Sequence, residues 1–121
     1  MTFRFSQLVG RYRLVLSNDL RSFIERTFVD TAPQAEQARV RTEALLEAEG
    51  AELEILADGT FISRSGEQEF FRIVLPVDDR EHEQLVFDKT PGNRVCLSRL
   101  DEDRLLTLQP GKPAAEFVRI A

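Results

Sequence analysis

Few side chains in this sequence are placed to do chemistry, and the best placed are basic or hydroxylated. Arg72 stands inside the apolar run Phe70-Phe71-Arg72-Ile73-Val74-Leu75, on the same strand face as Phe70 and Val74. Turned inward, its guanidinium offers a planar fork of donors to a carboxylate or a phosphate. Turned outward, it lays its stem on apolar neighbours and keeps its head in water. The outward arrangement is the cheaper one, because an inward charge without a partner is costly. Arg119 and Tyr12 form a second constellation if the first and last strands pair. A guanidinium over that ring is worth roughly 0.5–2 kcal/mol, a structural role before it is a ligand contact. Ser63 and Thr107 are hydroxyls in strand-like segments and candidates for a cavity lining, although hydroxyls on strand faces usually meet solvent. Phe23 and Phe28 are candidates for a lid over a cavity mouth, although a Phe stripe on a helix equally suits plain core.

The remaining reactive types point nowhere. His82 is the single histidine and lies in a run of carboxylates at 78–83, without ordered metal-ligand spacing. Cys96 alternates with Val95 and Leu97, as a small apolar strand residue would. A nucleophilic thiol needs a base beside it, and nothing in the spacing links His82 to Cys96. There is no glycine-rich phosphate loop, Walker pattern or Ser-His-Asp signature. The expectation is therefore no catalytic set, no metal and no cofactor.

The elements that must position these residues follow from periodicity. Residues 10–16 alternate, with Gly10, Tyr12, Leu14 and Leu16 on one face, which predicts a half-buried strand. Ser17-Asn18-Asp19 then offers an N-cap. Leu20, Phe23, Ile24 and Phe28 follow at helical spacing. Thr31 and Pro33 restart a second helix, which runs through Ala38, Leu45 and Ala48 to Gly50 with a thin, alanine-rich stripe. From residue 51 the period is two. Strands are predicted at 52–57, 60–65, 68–76, 85–88, 95–100, 104–109 and 116–120. Asp58-Gly59, Gly66, 90–93, 101–103 and 110–113 supply turns, and 78–84 a charged loop. The segment 68–76 is apolar on both faces, so something should cover it outside as well as inside.

One strand, two helices and seven further strands make a meander that must hide its edges, and closure into a barrel is the common solution. The expected fold is mainly β: an antiparallel up-and-down barrel of about eight strands, with a helix-turn-helix between its first and second strands and lying over one mouth. The alternative is an α+β fold, a curved antiparallel sheet with helices on one face.

The segment Leu8-Val9-Gly10-Arg11-Tyr12-Arg13-Leu14-Val15 resembles the Gly-x-aromatic opening strand of lipocalins and fatty-acid-binding proteins. In the fatty-acid-binding branch that strand leads directly into a helix-turn-helix, and residues 16–25 continue in the same style. Ala57-Asp58-Gly59-Thr60-Phe61 resembles the turn that follows in lipocalin-like domains. Arg119 is similar to the basic residue such barrels set beside the opening aromatic. The resemblance implies one lipocalin-like (calycin) domain over residues 1–121 that binds a lipid or another small molecule. Fatty-acid-binding proteins carry ten strands and a terminal Arg-x-Tyr pair that holds a carboxylate. Here about eight strands are counted, and Ile120 and Ala121 follow Arg119, so the Tyr is missing.

Composition bounds the function further. A chain of 121 residues suits a single domain. The net charge is -5; residues 1–50 balance seven Arg against seven acids, while residues 51–121 set nine basic against fourteen acidic residues. A nucleic-acid surface needs the opposite sign. One cysteine permits no internal disulfide and suits a reducing, cytoplasmic setting. No stretch approaches the roughly 20 apolar residues of a membrane span. The expected function is binding of an apolar or amphipathic small molecule, the helices gating access. The rival is an interaction module, a homodimer for example, with the barrel filled by its own side chains; nine Phe make that feasible. A third reading, an enzyme on an α+β cone, requires an inward acid on residues 52–75.

Overall fold

The computed structural model of the protein describes residues 2–29, Ala44 and residues 48–121, the side chains of 27–29 excepted. Ten strands and one long helix are seen among them. Eight strands form one antiparallel sheet: β2 (Gly10–Val15), β3 (Ala51–Ile55), β4 (Thr60–Ser65), β5 (Gln68–Val74), β7 (Leu85–Thr90), β8 (Asn93–Asp101), β9 (Arg104–Leu108) and β10 (Ala115–Arg119). Their order is β5-β4-β3-β2-β10-β9-β8-β7. The last strand thus pairs with the first long one, with Arg119 opposite Tyr12 and Phe117 opposite Leu14. The sheet curls into a nearly closed barrel, a mainly β fold.

Among the described residues β5 and β7 share no ladder, and side chains join them instead. Lys89 of β7 sits over the Phe71 ring of β5, and the rings of Phe61 on β4 and Phe87 on β7 lie 5.2 Å apart. Alternation decides what fills the interior. Leu53, Ile55, Phe61, Phe87, Val95, Leu97 and Leu105 point inward and are buried, burial being the main favourable term in folding.

Local chemistry sets the connections. The Ser17 hydroxyl accepts a hydrogen bond from the Leu20 amide at 3.1 Å and caps α1 (Asn18–Val29). Asp58 accepts from the Thr60 amide at 3.0 Å in the β3–β4 turn. Gly59 in that turn has φ +89°, and a Cβ there would lie 2.3 Å from the Leu75 carbonyl oxygen, so no other residue fits. The predicted second helix falls largely outside the described residues; of it, Ala44, Ala48 and Glu49 are helical.

One feature departs from the sequence reading. The charged segment 78–84 holds a two-residue strand, β6 (Glu81–His82), paired with β1 (Phe3–Arg4) at the N-terminus. Two residues are too few for a readable period. Following β1, a 3-10 turn (Phe5–Leu8) carries two more buried side chains. Phe3, Phe5 and Leu8 together plug one end of the barrel. On β5 the outward Phe70 is 49% and Val74 67% exposed.

Candidate functional site

The strands run so that the two ends of the barrel differ. At the closed end, Tyr12 is fully buried and its hydroxyl donates to the Leu8 carbonyl at 2.7 Å. The Arg119 guanidinium lies 4.9 Å from the Tyr12 ring centroid. It donates to the carbonyls of Val9 at 2.6 Å and Gln7 at 2.8 Å, and pairs with Asp103 at 3.5 Å. Burial pushes the Tyr12 phenol up, and the Arg119 charge offsets only part of that. Arg119 therefore ties the last strand to the N-terminal plug. Gly10 makes room for it: with φ +150°, a Cβ there would stand 2.5 Å from Arg119 Nη1 and 2.9 Å from the Ala121 oxygen.

The other end is hollow. A cavity of about 240 Å³ lies in the barrel lumen, beneath α1 and the β9–β10 turn. Its walls are inward residues of the strands, among them Leu14, Leu53, Phe71, Phe87, Val95 and Phe117. Leu20 and Phe23 of α1 form part of its rim. The helix reaches the cavity because the Ser17 cap starts it immediately after β2 leaves the barrel. The volume is smaller than the roughly 300–1,000 Å³ of drug-sized sites, which sets a limit on the size of any occupant.

The polar groups of this lumen are few. Ser63, Thr107 and Gln109 line it, together with Lys89 and Lys112. These are the two lysines of the chain. Lys89 Nζ lies 4.6 Å from the centroid of the Phe71 ring. Burial pushes its pKa below the ordinary lysine value, and the charge of Lys112 adds to the shift. Among the described residues no Asp, Glu or Arg lines the cavity. The Thr107 hydroxyl is 3.4 Å from the Ala115 carbonyl, to which it donates. Gln109 Oε1 is buried and has no hydrogen-bond partner among the described residues.

Of the residues singled out in the sequence, Phe23, Ser63 and Thr107 meet at this cavity. The side chain of Phe28 lies outside the described residues. Tyr12 and Arg119 do not line the cavity, because they occupy the opposite end of the barrel. Arg72 does not line it either: its side chain is exposed and donates from Nε to Glu69 at 3.2 Å. The strand carries Phe71 and Ile73 inward, so alternation sends Arg72 out.

Lys89 and Lys112 did not stand out in the sequence. The signal for Lys89 was present: Leu85, Phe87 and Lys89 share a face if the strand continues to residue 90, as it does. Lys112 sits in a turn, where no period exists to orient it. His82 packs beside Phe3, ring centroids 6.4 Å apart, and its Nε2 is 3.2 Å from the Asp78 carbonyl oxygen. No cluster of three or more His, Cys, Asp or Glu suited to a metal occurs among the described residues. No helix among them is long and apolar enough to cross a membrane. Comparison with protein-family models and with curated proteins finds no match to the chain.

Proposed function

We propose that the protein is a lipocalin-like (calycin) binding protein that encloses an apolar or amphipathic small molecule at the helix-covered end of its barrel. The observation that carries this reading is the apolar-walled lumen cavity at the end opposite the buried plug. A barrel that served only as a filled core would gain stability by closing that space, since interiors otherwise pack to crystal-like density. Affinity comes mainly from burying the apolar part of the ligand. Leu20 and Phe23 cover the mouth, so movement of α1 admits and releases the occupant. The opening motif Gly10-Arg11-Tyr12 with Arg119 stacked on the ring supports placement in this superfamily. A single cysteine and the absence of any disulfide framework suit a cytoplasmic protein.

The test is to extract the purified full-length chain with organic solvent, identify what is recovered, and titrate the emptied protein with an apolar fluorescent dye. A stoichiometric small molecule, or saturable dye binding that the extracted molecule displaces, supports the reading. Recovery of nothing together with no dye binding overturns it. The exposed Phe70 and Val74 favour a second reading, a homodimer through the outer face of β5. Light scattering that shows an empty dimer would favour that one.

A further inference from the structure

We infer that Lys89 captures an apolar aldehyde as a reversible covalent imine, with the hydrocarbon chain in the barrel lumen. This rests on the binding role proposed above and names both the ligand class and the bond. The choice of cation is the first ground. The chain has fourteen Arg and two Lys; both Lys line the cavity, and among the described residues no Arg does. Arg serves surface ion pairs, as in Arg11–Glu52, Arg72–Glu69 and Arg104–Asp101. A site built to hold an anion is better served by Arg, whose planar fork matches a carboxylate or a phosphate and stays charged. What Lys adds is a nitrogen that can lose its proton and attack a carbonyl carbon, which a guanidinium does not do.

The second ground is where the amine sits. Lys89 is half-buried, and its Nζ is held 4.6 Å from the centroid of the Phe71 ring. An amine becomes nucleophilic when an apolar pocket desolvates it or a second cation stands near. Lys89 has both, apolar walls and Lys112 in the same lining, and both hold its pKa down, burial the more. Lys89 also borders a shallower outer groove with Ile24 of α1 and Phe70 of β5, which sets the amine between lumen and surface. The chemistry then balances without a further reactant. The unprotonated Nζ attacks the carbonyl carbon, a C–N bond forms, and the C=O pair moves to oxygen, which gains a proton. That oxygen leaves as water and a protonated imine remains. Overall an ammonium and an aldehyde give an iminium and water, and water reverses the step to free the ligand. Lys112, exposed on the β9–β10 turn, is in contact with solvent and able to relay the protons.

The experiment mixes octanal with the full chain at neutral pH, traps imines with cyanoborohydride and locates the octyl groups by peptide mapping. Calorimetric titration with octan-1-ol measures binding in the lumen without the covalent step. Lys89 should be alkylated about ten-fold or more faster than the exposed Lys112, since each unit of lowered pKa gives about ten times more free amine. Excess octan-1-ol should block that reaction. Lys89→Arg keeps the charge and cannot form an imine; it should still bind octan-1-ol and take up no octyl group at that position. Equal alkylation of Lys89 and Lys112 in a chain that binds octan-1-ol overturns the imine inference and leaves the binding role standing. Alkylation of Lys89 that octan-1-ol does not slow also overturns it, because the amine then reacts from the surface. No binding of octan-1-ol and no preference for Lys89 overturns the inference and counts against the binding role as well. The comparison of the two lysines within the unmodified chain does not depend on the variant folding.

Discussion

Truncating Tyr12 should weaken the fold far more than truncating Arg72, and the structure supplies the magnitudes. Tyr12 is fully buried between the plug and the β2–β10 ladder. Removing a large buried aromatic costs about 3–5 kcal/mol in transfer and cavity terms. Tyr12→Ala also orphans the Leu8 carbonyl, at about 1 kcal/mol. It removes the ring under Arg119, worth roughly 0.5–2 kcal/mol. Because these terms overlap, the total is about 4–6 kcal/mol. Arg72→Ala loses one exposed ion pair with Glu69, about 0–1 kcal/mol. Urea unfolding followed by far-ultraviolet circular dichroism separates the two. With a slope of about 2 kcal/mol per molar, Tyr12→Ala should lower the midpoint by about 2–3 M and Arg72→Ala by less than about 0.5 M. A loss of that size approaches the whole stability of a small domain, about 5–15 kcal/mol. Tyr12→Phe, which removes only the hydroxyl, therefore gives a milder second reading of about 1 kcal/mol. Equal midpoints for the two alanine variants, with Tyr12→Phe matching the unmodified protein, would refute the role assigned to the Tyr12–Arg119 contact in joining the first long strand to the last.

Gly10→Ala should destabilise by more than about 1 kcal/mol, because the new Cβ meets Arg119 and the chain end in a backbone conformation that suits glycine; a thermal melt matching the unmodified protein would contradict this. The Arg11 guanidinium holds the Glu52 carboxyl below the usual carboxylate range, Arg13 contributing less. Its folded pKa is depressed, so its stabilisation is present above the ordinary value and is lost as pH falls through the folded one. Glu52→Gln should thus cost roughly 0.2–1 kcal/mol at neutral pH, and its deficit should shrink below about pH 4, read from urea midpoints across that range. Lys89 is shifted against its charge: folding disfavours the ammonium, so that cost is fully present below the folded pKa and is lost as pH rises from there toward the ordinary lysine value. Lys89→Met should leave the ligand-free melting temperature unchanged or raise it; a clear fall would contradict the cost assigned to burying that charge. Ala115→Leu adds bulk to the cavity wall, so it should abolish dye binding while the melting temperature holds; undiminished dye binding would place the dye elsewhere.

Residue type and spacing alone determined much of this protein. The alternation of Gly10, Tyr12 and Leu14, the Ser17 cap and the Asp58-Gly59 turn each answer to interactions within a few residues, so they can be read without a fold. The eight-strand count and closure followed, because a meander with apolar faces has to hide its edges. Phe23, Ser63 and Thr107 were named as candidates from their residue types, but their periods left open whether they faced a cavity, the solvent or the core; the fold lines the cavity with all three.

Tertiary structure decided what depends on contacts between distant segments. Phe3, Phe5 and Leu8 become a plug only because β1 finds a distant partner in β6, Phe3 opposite His82 and Arg4 opposite Glu81, a ladder of two residue pairs that leaves no pattern in the sequence. The direction of Arg72 was ambiguous while its segment was apolar on both faces; the Phe71 and Ile73 side chains taking the interior settled it. Whether a cavity remains depends on how nine Phe pack, a question of volume and not of period. The meeting of Lys89 and Lys112 at one mouth is set by the antiparallel order of β7, β8 and β9, which puts the end of β7 and the β9–β10 turn on the same rim though they lie on separate elements of the chain.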